Sequence, residues 1–104
     1  MVLTQEYFKI TEELISKYGN KSIVLMQVGS FFEVYGFRNK TTQEIYKTAL
    51  VDFVRICGFE NLSVKKTTWQ PRGVEILMSG FPEYMIEKYA NILQNEKAKP
   101  KPPH

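Results

Sequence analysis

The side chains that most often do covalent chemistry are scarce in this 104-residue chain. Its only histidine is the last residue, His104. Its only cysteine, Cys57, falls on an apolar helical stripe with no base near it in sequence, the setting of a core thiol rather than of a nucleophile. Asp52 is the only aspartate, and the glutamates are scattered instead of gathered into the oxygen cluster that a metal nuclease needs. Neither GxxxxGK[ST] nor GxGxxG occurs, so no phosphate-cradling loop is recognisable. The chain is expected to hold no catalytic residue, no metal ligand and no cofactor. What it offers is a recognition pair. In VGSFFEVYG, Val28 to Gly36, Phe31 and Glu33 stand two apart directly after a Gly-Ser turn signal. Along a strand these two share one face, and Phe32 and Val34 share the other. Phe32 and Val34 make the natural core pair, which leaves Phe31 and Glu33 outward at a turn. An exposed ring beside a carboxylate can stack on a nucleobase and hydrogen-bond its edge while nearby cations hold phosphates. The same ring can instead anchor a protein-interaction or assembly interface, and a buried Phe beside a solvated Glu is the commoner use of such a pair. Arg38, Lys65, Lys66 and Arg72 are the candidate DNA-backbone contacts, and plain solvated surface charge explains them equally well.

The elements that must position this pair follow from the apolar pattern. Tyr7, Ile10, Leu14 and Tyr18, with Phe8 and Ile15 beside them, predict an amphipathic helix from Thr4 to Tyr18, capped by Thr4 and stopped at Gly19-Asn20. SIVLMQV, Ser22 to Val28, reads as a strand buried on both faces, and FFEVY as a second strand. TTQE, Thr41 to Glu44, matches a capping box, predicting a helix from about Gln43 to Cys57 with Gly58 past its end. LSVKKTTW and GVEILMS suggest an antiparallel hairpin around the turn residues QPRG. Pro82 suits the first turn of a last helix carrying Met85, Ile86, Tyr89, Ile92 and Leu93. The expected fold is α/β and α+β-like, a mixed β-sheet flanked by about three helices. It forms one domain over residues 1–96, followed by a lysine- and proline-rich extended tail over 97–104. A hydrophobic fraction of 43% with 24% charged residues suits a globular body, and runs such as IVLM are too short to cross a bilayer. With one cysteine and no leader-like N-terminus, an intracellular protein without membrane attachment is expected. The net charge of +3 is compatible with phosphate partners without requiring them.

VLMQVGSFFEVYG resembles the segment that carries the Phe-x-Glu motif in the N-terminal mismatch-recognition domain of the MutS DNA mismatch-repair family, with Phe31 and Glu33 at the motif positions. Downstream, LMSGFPEYMIEKYANIL is similar to the family's Gly-x-Pro turn and following helix, with Gly80, Pro82, Tyr89 and Leu93 at matching positions. The helix ending at Tyr18 takes the place of the family's opening helix. The resemblance implies binding to duplex DNA containing mispaired or unpaired bases. In that binding a phenylalanine wedge enters the minor groove and stacks, the glutamate hydrogen-bonds the base, and the duplex kinks. In the negative field of DNA phosphates Glu33 is expected to favour its protonated form, which can donate a hydrogen bond to a purine nitrogen. Two departures stand out: GFRNKTTQ replaces a stretch that often contains Asp-Ala in relatives, and the connector, lever, clamp and ATPase regions are missing. The chain thus looks like a truncated first domain. ATP and Mg are expected only in a full-length parent, whose other domains and second MutS subunit would be partners, at genomic DNA inside the cell. A small nuclease on a similar sheet is a third and weaker possibility.

Overall fold

Two long strands, β2 (Phe31–Asn39) and β5 (Val74–Pro82), pair antiparallel from Phe31↔Pro82 to Asn39↔Val74 and form the spine of the molecule. The outer edge of β2 takes β1 (Met26–Val28) at one end and β3 (Ile45–Tyr46) at the other, while β4 (Ser63–Val64) lines the outer edge of β5. In this computed structural model, which describes residues 3–60 and 62–98, the result is a five-stranded sheet with every ladder antiparallel. Three α-helices accompany it: α1 (Leu3–Tyr18), α2 (Leu50–Cys57) and α3 (Ile86–Ala98). The α+β class expected from the sequence is the class observed.

Alternation along the spine strands sorts the side chains into two cores. Tyr35 and Phe37 of β2, with Val74 and Ile76 of β5, face α1 and meet its buried Tyr7 and Phe8. Val34, Leu77 and Phe81 face the opposite way and meet Leu50 and Phe53 of α2 and Leu93 of α3. The sheet therefore carries helices on both sides, and both faces of β2 read as apolar for that reason. No helix among the described residues is long and apolar enough to cross a membrane.

Several elements differ from expectation. Thr4 is not a cap: it lies inside α1, buried, with its hydroxyl 3.1 Å from that of Thr67. Tyr18, placed on the apolar stripe, is 76% exposed, and Thr4 and Thr11 take stripe positions instead. Of the strand expected over 22–28, only Met26–Val28 joins the ladder. Ile23, Val24 and Leu25 still pack alternately on the two cores, while the Tyr7 hydroxyl donates to the Val24 carbonyl at 2.7 Å. TTQE is a hairpin loop rather than a capping box. The Asn39 side-chain oxygen accepts from the Thr41 and Thr42 amides at 2.8 and 3.0 Å, which closes the turn between β2 and β3. The helix begins only at Leu50, after Thr48 accepts from the Leu50 amide at 3.2 Å. The hairpin around QPRG does pair antiparallel, but β4 is two residues long and Lys65 to Gly73 form its connection. At the C-terminus α3 continues through Lys97 and Ala98, and the rest of the expected tail, residues 99–104, lies outside the described residues.

The buried phenols give the fold a pH limit. Burial pushes Tyr7 up to about 12, and burial together with the neighbouring Glu33 raises Tyr35 as well. An unfolded tyrosine ionises near pH 10. The unfolded chain therefore loses these protons first, so stability present in full below about pH 10 falls as pH rises towards 12. At about 1.4 kcal/mol per unit, Tyr7 alone removes roughly 3 kcal/mol across that window. The urea midpoint should drop between pH 9 and pH 11.5, and Tyr7→Phe should flatten that drop.

Candidate nucleic-acid interface

The site starts from a two-residue turn. Val28 pairs with Phe31, so Gly29 and Ser30 alone connect β1 to β2, and Gly29 takes the positive φ of +59° that the first position of such a turn favours. The tip is tied down from its other side: the Ser30 carbonyl accepts from the Glu83 amide at 2.7 Å, and Gln27 Nε2 donates to Glu83 Oε2 at 2.7 Å. Phe31 leaves this anchored tip 48% exposed, on the α1 face of the sheet but beyond the part of the face that α1 covers. Tyr84, 82% exposed, follows two residues after Pro82, the register partner of Phe31.

Phe31 was expected outward, and it is. Glu33 was expected outward and solvated, and here the structure corrects the expectation: Glu33 is 8% exposed. It is buried because it has partners. The Tyr35 hydroxyl, two residues along the same face, donates to Glu33 Oε1 through a short hydrogen bond. Lys65 Nζ donates to the same oxygen at 3.2 Å and sits 5.7 Å from the Tyr35 ring centre. Lys65 can reach because its amide bonds the Ile76 carbonyl, which sets it opposite Ile76 and hence on the face shared by Tyr35 and Glu33. Both bonds go to Oε1, which accepts in each. Phe32, on the other face, is only half-buried against the α2–α3 core, its ring 5.8 Å from that of Phe81.

Phe31, Phe32 and Glu33 line an open cleft of about 510 Å³ with Phe59, Ser63 and Gly80. Gly80 is the register partner of Glu33. A Cβ at Gly80 would lie 2.1 Å from the Phe32 carbonyl oxygen, so only glycine lets the two strands come this close beneath the carboxylate.

The cations divide. Lys65 belongs to the site through Glu33 rather than as a free phosphate contact. Lys66, beside it in sequence, is exposed. Arg38 lies at the far end of β2 and donates through Nε and Nη2 to Glu75 at 3.2 and 2.9 Å, while exposed Arg72 precedes the far end of β5. Of the four, only the Lys65 side chain is thus shown to reach the site, through Glu33, and Arg38 and Arg72 lie towards the end of the spine away from Phe31. Sequence reasoning missed Tyr35, although its spacing of two from Glu33 on one strand was the signal. Cys57 is half-buried with its thiol pushed up to about 11 by burial, which disfavours the thiolate. Among the described residues no cluster of His, Cys, Asp and Glu could hold a metal ion. The chain matches no protein-family model, no curated protein and no solved structure.

Proposed function

We propose that the chain is a DNA-recognition module that senses mispaired or unpaired bases by inserting Phe31 as a wedge, with Glu33 touching the base and no catalysis of its own. The observation that carries this is the register Phe31↔Pro82 and Glu33↔Gly80. The two stretches on which the MutS resemblance rests lie far apart in sequence, yet they pair residue for residue beneath one exposed ring. The physics is consistent with a mismatch sensor. Inserting an apolar wedge costs a few kcal/mol per unstacked step, and a base–aromatic stack returns about 1 to 3 kcal/mol. In a matched duplex these nearly cancel, whereas a mispaired step has already lost part of its stacking and bends more easily. In a longer parent, further MutS-like domains, a second subunit, ATP and Mg would belong to the same reading, at genomic DNA inside the cell.

Fluorescence anisotropy of labelled duplexes tests the proposal. The chain should bind a G·T mispair or an unpaired base more tightly than the matched duplex. Its affinity for matched DNA should stay in the non-specific range of about 10⁻⁴ to 10⁻⁶ M and weaken steeply as salt rises. Equal binding to both duplexes at two salt concentrations would move Phe31 and Tyr84 to the other reading, anchors for a protein partner.

A further inference from the structure

A second open cleft, of about 320 Å³, lies on the α1 side of the sheet, and it shares no lining residue with the cleft at Phe31. Its apolar lining is mostly aromatic. Phe8 of α1 and Phe37 of β2 are buried with ring centres 4.3 Å apart, and half-buried Trp69 sits 5.7 Å from Phe8 and 6.1 Å from Phe37. Of these three rings, Trp69 is the one with surface left to offer. The segment that carries it is pinned on both sides. The Thr67 hydroxyl accepts from the Trp69 amide at 3.3 Å and lies 3.1 Å from that of buried Thr4, and the Pro71 carbonyl accepts from the Val74 amide at 3.2 Å. Two cations line the same cleft, Lys9 from α1 and Lys47 from the connection between β3 and α2. Lys47 has a φ of +83°, a left-handed backbone that a lysine adopts at a cost and that is characteristic of sites where a side chain must be aimed. Glu12 contributes a carboxylate 3.9 Å from Lys47 Nζ, a loose pair of exposed side chains that a phosphate can displace.

We infer that this cleft binds single-stranded DNA, with one base stacked on Trp69 and the adjoining phosphates held by Lys9 and Lys47. Stacking on an aromatic ring, with cations along the backbone, is how single strands are bound without regard to sequence. A nucleotide strand supplies what the lining asks for, a flat ring with phosphates within one unit of it. In a matched duplex the base faces are covered by their neighbours, so a free ring recruits unpaired bases. Two lysines against one glutamate leave the lining net positive, which favours a strand over an uncharged aromatic ligand. Only the choice of DNA over RNA rests on the mismatch reading above.

Trp69 is the only tryptophan of the chain, so its fluorescence reports on this cleft. Titrating the 104-residue chain with a short oligodeoxythymidine should quench that fluorescence. An abasic strand of the same length keeps the phosphates, and it should bind roughly tenfold more weakly and without quenching. Lys9→Met and Lys47→Met should each weaken binding and make the plot of log affinity against log salt shallower by about 0.7. Glu12→Gln should tighten binding, because it removes the negative charge beside Lys47. Phe31→Ala should leave the quenching unchanged, and melting temperatures verify that each variant is folded. If oligodeoxythymidine leaves the fluorescence unaltered, or the abasic strand binds as tightly, stacking on Trp69 is overturned. If both folded lysine variants keep the full salt dependence, or Glu12→Gln weakens binding, the phosphate contacts are overturned. Quenching by thymidine monophosphate at the same concentrations would replace the strand by a free nucleotide, and tighter binding of oligouridine would replace DNA by RNA. Loss of the quenching in Phe31→Ala would mean that the two clefts are one site, and the inference falls. Equal binding of mispaired and matched duplexes sinks the mismatch reading alone, since this quenching does not depend on it.

Discussion

Gly80→Ala is expected to destabilise the chain by about 3 kcal/mol or more, the upper range of overpacking penalties. The new Cβ would sit 2.1 Å from the Phe32 carbonyl oxygen and 3.1 Å from Glu33 Cα, and both are backbone atoms of the facing strand. A flexible side chain could swing aside. Backbone cannot, so relief requires β2 and β5 to part at the Glu33↔Gly80 pair, between the Phe31↔Pro82 pair and the rest of the ladder. Gly29→Ala is the control. Its φ of +59° makes the backbone unfavourable for alanine, but nothing lies within 4 Å of the added carbon. That substitution should cost only about 1 to 2 kcal/mol. Chemical-denaturation midpoints of the two variants decide the matter. A Gly80→Ala variant no less stable than Gly29→Ala would mean that the strands do not approach as closely as described. Because the same pair lies under Glu33, Gly80→Ala should also erode discrimination between duplexes at temperatures where the variant is still folded.

The order of the elements, apart from β3 where helix was expected, and the outward face of Phe31 were legible because both follow from periodicity. Alternation by two along FFEVY puts Phe31 opposite in sense to Phe32 whatever the strand packs against. What failed were inferences that needed a partner from elsewhere in the chain. Glu33 was placed in solvent on the rule that a lone carboxylate stays wet, but Lys65 lies 32 residues away and comes to its side only through the β4–β5 pairing. The capping box at Thr41 to Glu44 was correct as a pattern of letters. It lost to Asn39, whose side chain binds the Thr41 and Thr42 amides first and makes a hairpin. The run from Ser22 to Val28 shows the reverse case: its burial on both sides was foreseen, while its backbone joins the ladder only from Met26 onward. Periodicity reports which side of an element meets apolar surroundings, and it is silent on which hydrogen-bond partners arrive first.

Phe31→Ala is expected to leave the melting temperature nearly unchanged and to abolish the preference for mispaired over matched duplex. The first half follows from exposure. A ring 48% open to solvent at a turn leaves no closed cavity when removed. The second half follows from the balance of terms, since without the stack worth about 1 to 3 kcal/mol nothing rewards the opening of a step. Its neighbours calibrate the claim. Phe81 is 2% exposed and packs on Phe53 and Tyr89, so Phe81→Ala should cost about 3 to 5 kcal/mol, as truncation of buried aromatics does. Phe32 is half-buried beside it and should fall between, below about 3 kcal/mol, with its effect on DNA following stability alone. The three variants therefore separate packing from recognition: stability loss should rank Phe81, Phe32, Phe31, whereas loss of discrimination at full folding should belong to Phe31 only. Glu33→Gln should disturb discrimination less than Phe31→Ala, because the amide keeps a hydrogen-bonding group at the same place. A Phe31→Ala variant that keeps its mispair preference while folded would remove the wedge from the mechanism and leave the exposed ring to a protein partner.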